Sequence, residues 1–513
     1  MSHKIARLAG LLAALLLLNS CGEDFLVESD PNSIPASEYF KTENDVALAV
    51  NGIYQSLRSS NGIGESSGLY TDERSDDTGR NDNQSNAGEP FQFNDFSILP
   101  SNTYLKSHWL ALYQSITRCN QVLSNLDQVP FANPDTKEQY RAEARFVRAL
   151  VYFHLVRKWG DVPLVTTALI TADEIGARTF REKQATVYEQ IVADLTGVVG
   201  SPLPERQSGA NRGRVSKAAG NALLGQVYLT MATTLAGTDR QGNLANAKTY
   251  LTAAYDVAVR GFGALKDIPY ADVFDVTKKA TNPEVIFQIV NRQGDVNYSS
   301  SIAANNQAQG ETINSLRTAS GSGANVTPDL VKDYEVGDPR KDFSIKFATA
   351  ANVRDWFITK YRDASPTAGT NGYGGNDWIL LRYANVILML AEVNLYLGDE
   401  ATAIQYLNLV RERAKMPLYE VVQNDPAYRS KYPTLKLAIL HERRVELAFE
   451  HQRWFDLLRF FTTDELVGYV RAKSQADFGA ARLANFSAKD RYFPIPFDEY
   501  KLDPAKMYQN EGY

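Results

Sequence analysis

Leu390-Ala391-Glu392-Val393-Asn394-Leu395-Tyr396-Leu397-Gly398-Asp399, followed by residues 401–410, decides the fold. Apolar residues recur there at helical spacing, then stop at Gly398. Glycine is the residue that best tolerates the left-handed turn ending a helix, so the second run turns back along the first. Ala391 and Ala403 are small enough to let the two backbones approach. A looser echo occurs at residues 222–228 followed by 247–258.

Working outward, helical spacing marks residues 45–57, 105–126, 137–159, 186–199, 215–232, 244–259, 379–397, 401–414 and 435–461. The fold class is therefore all-α, with helix pairs of the tetratricopeptide type. Their 34-residue period is not kept, which predicts an interrupted helical scaffold instead of a regular solenoid. No Pro- or Gly-rich linker divides the chain. Two polar stretches, 59–102 and 292–326, are too long for simple connectors, and ordered loops of that length usually carry function.

The start of the chain has its own logic. Lys4 and Arg7 precede and enter an apolar run over residues 5–18, which is too short and wrongly flanked to span a bilayer. Residues 1–20 are predicted to be a signal peptide, and 21–513 one large body. Leu18-Asn19-Ser20-Cys21 resembles a bacterial lipobox, which implies a diacylglyceryl group on the Cys21 thiol and attachment to a membrane through that lipid alone. Losing residues 1–20 removes Lys4 and Arg7 and no acid, taking the formal charge from -6 to -8. Such a body lacks the clustered cations of a nucleic-acid partner. Cys119 is the one other cysteine, so with Cys21 acylated no internal disulfide is expected.

Several motifs invite chemistry and fail. Gly64-Glu65-Ser66-Ser67-Gly68 has the letters of a nucleophile elbow but no apolar strand before it. His441-Glu442 lacks the second histidine of a zinc protease. Asp72, Glu73, Asp76, Asp77 and Asp82 do not follow the spacing of a calcium-binding EF-hand, and a solvated acidic loop is expected there. No catalytic set, metal site or cofactor is predicted. In residues 439–461, Val445, Ala448, Phe449, Phe455 and Leu458 are expected to face a core, with Glu446 and Glu450 reaching Arg443, Arg453 or Trp454 across one turn. That pattern is architectural.

A series of phrases is similar to the SusD/RagB family of outer-membrane nutrient-binding lipoproteins. They are residues 21–31 (CGEDFLVESDP), 52–57 (GIYQSL), 109–120 (WLALYQSITRCN), 143–165 (EARFVRALVYFHLVRKWGDVPLV), 381–398 (LRYANVILMLAEVNLYLG), 403–414 (AIQYLNLVRERA), 439–459 (ILHERRVELAFEHQRWFDLLR), and the close at 492–496 (YFPIP) and 509–513 (QNEGY). Asn385 stands where many relatives carry an acid, and His451 where a glycine is common. The resemblance implies a SusD-like helical fold, a cell-surface position in the outer membrane, and a SusC-like TonB-dependent barrel as partner, over which the protein sits as a lid. It also implies capture of an oligosaccharide, or in some relatives a peptide. A purely structural subunit of the transporter complex is the alternative.

Ligand contacts are sought in the two long stretches. A sugar offers an apolar C–H face and a rim of hydroxyls, which suits aromatic rings beside amides and charges. Tyr70, Phe91, Phe93, Phe96, Tyr104 and Tyr298 stand among such partners, with Asp76, Arg80, Asn94 and Asn305. Each ring has an alternative role as an anchor of its loop on the helical body. Trp109, Trp159, Trp356 and Trp378 are expected to pack.

Overall fold

Gly398 ends its helix as its sequence context predicts. Its φ is +83°, its N–H donates to Leu395 O at 3.0 Å, and the Asp399 N–H donates to Asn394 O at 2.8 Å. This satisfies the last free carbonyls of the helix. Asp399 then caps the next helix, its carboxylate accepting from the Thr402 N–H at 3.1 Å. One glycine and one aspartate thus make the hairpin.

The computed structural model describes residues 39–79, 88–169, 171–307, 311–312, 314–315, 325–349 and 355–513. Its long helices are α1 (Glu43–Ser56), α2 (Thr103–Asn125), α3 (Pro134–Trp159), α4 (Gln184–Val199), α5 (Lys217–Thr234), α6 (Arg240–Phe262), α7 (Tyr383–Tyr396), α8 (Glu400–Arg413), α9 (Leu435–Leu447), α10 (Arg453–Phe460) and α11 (Thr463–Arg471). The molecule is mostly helical, and neighbouring helices pack as antiparallel pairs, α5 with α6 and α7 with α8 among them. At the α5–α6 crossing, a Cβ on Gly225 would stand 2.6 Å from Leu251 Cγ, so only glycine permits that approach.

Two segments depart from the helical pattern. Residues 379–382 belong to a strand, Trp378–Arg382, paired antiparallel with Val285–Ile289. A buried strand and a buried helix both present unbroken apolar runs, so periodicity alone extended the helix too far. The 435–461 run is broken between α9 and α10, where Phe449 and His451 take φ of +64° and +58°.

The interior explains that break. Glu446 meets Arg340 at 3.0 Å, Arg382 at 2.7 Å and Arg413, while Glu450 meets Arg382 at 2.7 Å and Lys360 at 2.6 Å. Glu442 is held by Arg340 at 2.6 Å and Arg411 at 2.9 Å. The expected one-turn partners Arg443, Arg453 and Trp454 are not used by Glu446 or Glu450. The face that carries these acids is buried, and cations from distant segments reach in to neutralise it. Val445, Ala448, Phe449, Phe455 and Leu458 are buried as expected.

The chain end closes on the centre of the molecule. Trp159 Nε1 donates to Pro494 O at 3.0 Å, and its ring meets Phe493 edge-on with centroids 5.3 Å apart. Trp109 and Trp378 are likewise buried, and Cys119 is a buried free thiol. No helix among the described residues is long and apolar enough to cross a membrane. Cys21 lies outside the described residues.

Short strands matter most where they join the two long polar stretches. Thr78–Gly79 pairs antiparallel with Asn325–Val326, which continues through Asp355–Ile358 to Ile345–Ala348 in a four-stranded sheet. Segments about 250 residues apart in sequence are thereby stitched together.

Candidate functional site

Glu65 makes a second stitch. It opens a 3-10 turn, Glu65–Tyr70, in the first stretch, and its carboxylate accepts from the Ser301 N–H at 2.9 Å and from the Ser300 hydroxyl in the second. Burial pushes the Glu65 pKa up, against these hydrogen bonds. Between the two stretches lies a half-open cavity of about 440 Å³, within the usual size range for small-ligand sites.

Rings of Tyr70, Tyr104, Tyr361 and Phe449 line it, beside the polar groups of Ser60, Asn61, Ser66, Ser301, Asn305 and Asn306. Tyr104 stands at the rim, 41% exposed. Tyr70 is held rigidly: its ring stacks on His108 with centroids 3.8 Å apart, and its hydroxyl donates to Asn61 Oδ1 at 3.1 Å. Burial and the nearby Lys158 keep His108 well below its ordinary pKa. Tyr70 is thus a fixed part of the cavity wall.

Asp72, Thr78 and His451 form the floor. Burial pushes Asp72 well above the usual carboxylate range, and Asp77 beside it adds to this. His451 packs on Trp378, with ring centroids 4.3 Å apart, and burial with Lys158 nearby brings its pKa down to about 3. His451 and Phe449 hold left-handed backbone angles, strained for such side chains, because Glu450 between them is clamped by Arg382 and Lys360.

The elbow-like letters give no nucleophile. Ser66, the central serine, sits on a 3-10 turn with no strand before it. His451 Nδ1 lies 2.9 Å from the neighbouring Ser67 Oγ, but the Ser67 hydroxyl donates to Gly64 O at 2.8 Å, leaving the imidazole as donor and no base poised on the serine.

The sequence candidates divide three ways. Tyr70, Tyr104 and Asn305 line the cavity. Tyr298 is exposed over Arg58, 5.5 Å from its guanidinium carbon, two residues before the Ser300 stitch; Phe91 is half-buried in the short turn Phe91–Asn94. Phe93, Asn94, Phe96 and Asp76 lie in the interior as loop anchors. Phe93 meets Tyr70 and Phe493 edge-on, Phe96 meets Phe486, and Asn94 donates to Glu73 O at 3.3 Å. Asp76 is gripped by Arg453 at 2.7 Å and Lys473 at 3.0 Å. Arg80 and Asp82 lie outside the described residues. The expected solvated acidic loop is a buried one: Asp72, Glu73, Asp76 and Asp77 are each at most 5% exposed, with Arg444 and Arg453 supplying counter-charge to Asp76 and Asp77. No group of three or more metal-binding side chains occurs among the described residues.

Glu65, Thr78, Ser301, Tyr361, Phe449 and His451 were not marked as site residues by the sequence. Only His451 carried a signal, as a departure from a family glycine.

With that geometry in place, comparison with known proteins is decisive. The SusD family profile matches residues 343–513, and a SusD-like profile described as "Starch-binding associating with outer membrane" matches residues 24–229. The chain belongs to the SusD/RagB family. SusD-like protein P2 of Formosa agariphila is 28% identical over 533 aligned positions, covering 98% of each chain. A solved laminarin-binding SusD-like protein is 26% identical with a TM-score of 0.73, covering 92% of this chain and 100% of that one. Surface glycan-binding protein A of Bacteroides thetaiotaomicron, solved with laminarihexaose, is 20% identical at the same TM-score and coverage and shows the shared fold. The SusD family is one of binding proteins, not enzymes.

Proposed function

We propose that this SusD-like protein is a cell-surface lipoprotein of the outer membrane. It captures oligosaccharides in the cavity between its two long insertions and passes them to a SusC-like TonB-dependent barrel, which it covers as a lid. The observation that carries this reading is the cavity lining: aromatic rings stand beside hydroxyls and amides, the combination a sugar's C–H face and hydroxyl rim require. Support also comes from the laminarin-binding relative and from the outer-membrane description of the matched profile.

Handover favours modest affinity. A Kd on the order of micromolar to millimolar, about -8 to -4 kcal/mol, holds cargo without trapping it. Titration calorimetry of the full-length protein in detergent against neutral hexasaccharides tests the reading. Saturable binding of at least one is expected, weakened about fivefold or more by Tyr104→Ala, a rim residue whose loss leaves the core intact. Binding of no glycan contradicts the proposal.

Attachment rests on Cys21. In the native host, Cys21→Ser is expected to abolish lipid labelling and release the protein from the outer-membrane fraction; a variant that stays labelled rules out the lipobox.

A further inference from the structure

Arg58, just before the first long stretch, and Glu65, within it, grip the two ends of one loop in the second. Arg58 takes the near end: its guanidinium donates to Val290 O at 2.8 Å, to Asn291 Oδ1 and to Ser299 O at 3.4 Å. Asn291 is itself fixed to the helical body, its N–H donating to Asp377 Oδ1 at 2.8 Å and its side-chain amide to Asn376 O at 2.6 Å. Glu65 takes the far end. Its Oε1 accepts from the Ser301 N–H at 2.9 Å and its Oε2 from the Ser300 hydroxyl. Ser300 Oγ already accepts from the Ile302 N–H at 3.3 Å, so its proton is directed at the carboxylate.

This joint is also where the cavity wall begins. Ser301, Ile302, Asn305 and Asn306 follow directly and line one side, while the turn opened by Glu65 carries Tyr70 on the other. A ligand held between the two sides needs them at a fixed separation, and a wall already in place loses less entropy on binding. With Glu65 protonated, or replaced by glutamine, the group keeps one acceptor and turns a donor towards Ser300. A charge-assisted hydrogen bond is then exchanged for a neutral one of about half the strength.

We propose that Glu65 is the positioning residue of this cavity: its carboxylate latches the Ser301–Asn306 wall onto the Tyr70 turn, and ligand affinity follows its charge. This rests on the glycan-receptor reading and adds acid-triggered release to it. Burial raises the Glu65 pKa, against the Ser300 and Ser301 hydrogen bonds and the nearby Arg58, so the latch loses its charge above the ordinary glutamate value of about 4.3. The latched form is the charged one, so affinity is present at neutral pH and is lost as pH falls. Other charged groups surround the joint: Asp72, Glu73 and His451 on the cavity, Asp77 and Lys360 acting on Asp72, and Asp295 and Asp377 acting on Arg58. Comparing the wild type with Glu65→Gln separates Glu65 from these and from Arg80 and Arg317, which lie outside the described residues.

Hydrogen–deuterium exchange and calorimetry of the full-length protein in detergent test this together, with laminari-, malto-, cello- and xylohexaose as probes. In Glu65→Gln, backbone amides of residues 300–306 are expected to exchange about fivefold faster than in the wild type, with those of α2 and α3 unchanged. Any probe that binds the wild type is expected to bind this variant about fivefold more weakly at pH 7. Wild-type affinity is expected to fall between pH 7 and pH 5, and that of Glu65→Gln to change less. Ser300→Ala is expected to weaken binding likewise and to add little on top of Glu65→Gln, since both act on one bond. Urea midpoints at each pH verify folding, and if Glu65→Gln fails to fold, exchange and pH profile in Ser300→Ala decide. Unchanged exchange at 300–306, or the same pH profile in wild type and variant, overturns the inference while leaving a glycan receptor. Binding of no probe overturns the receptor reading, and exchange then judges the latch alone.

Discussion

At the scale of the residue, His451 shows how one substitution on a family pattern acts on a site. A left-handed backbone costs a non-glycine residue about 1–2 kcal/mol, which a glycine would avoid. Against that stand a hydrogen bond to Ser67, worth about 1 kcal/mol, and burial of the imidazole on Trp378, worth about 2 kcal/mol. His451→Gly is therefore expected to lower stability by about 1–2 kcal/mol in urea unfolding, despite the relieved strain; a gain in stability would show the strain to be the larger effect. The family resemblance made position 451 visible in the sequence but not its role, since the ring's partners Ser67 and Trp378 are separated from it by 384 and 73 positions. Tyr104 and Asn305 were candidates in the sequence because each stands in or beside a long polar stretch, and both line the cavity. Phe93 and Phe96 look the same in sequence, and only packing against Phe493 and Phe486 distinguishes an anchor from a platform.

At the scale of the element, the α9–α10 break and the Trp378–Arg382 strand are held by one guanidinium. Arg382 meets Glu284 at 2.6 Å, Glu446 at 2.7 Å and Glu450 at 2.7 Å, all buried. Arg382→Met keeps much of the volume and strands three carboxylates, so a loss of about 3–5 kcal/mol is expected from denaturant unfolding. A loss below about 1 kcal/mol would mean that Arg340, Arg413 and Lys360 suffice alone. The α5–α6 crossing gives a second check: Gly225→Val drives a side chain into Leu251 and is expected to cost about 1–3 kcal/mol. Most of the long helices were legible to within a few residues because their apolar stripes repeat locally, although the break inside 435–461 and the helix Thr463–Arg471 were not. The strand was not, because its burial on both faces erases the alternation that would have marked it.

At the scale of the whole molecule, the buried ion pairs set the response to acid. Burial alone would raise Glu446, but Arg413, Arg382 and Arg340 outweigh it and hold it well below the usual range; Glu335, against a similar burial effect, is brought to about 2 by hydrogen bonds from His441 and Arg411. A carboxylate with a depressed folded pKa adds stability that is present above its unfolded value, about 4.3, and is lost as pH falls through the folded one. Asp77, which burial raises to about 6, is protonated in both states at the lower end of that window and contributes little slope there. The urea midpoint is expected to fall progressively between pH 4.5 and about 2; a flat profile would show that these pairs are matched in the unfolded chain. None of this was visible in the sequence, which marks charges but not their distant partners. The same holds for the cavity, formed where Glu65 meets Ser300 and Ser301 and where Thr78 pairs with Val326.

The most direct test of the central claim, that the two insertions together make a glycan site, is a crystal structure of the protein with a bound neutral oligosaccharide. The account expects a sugar ring between the Glu65–Tyr70 turn and residues 301–306, against Tyr104 and above Asp72 and Thr78. A sugar seated elsewhere, such as the cleft beside Tyr432, Phe461 and Tyr469, with this cavity filled only by water, would contradict it.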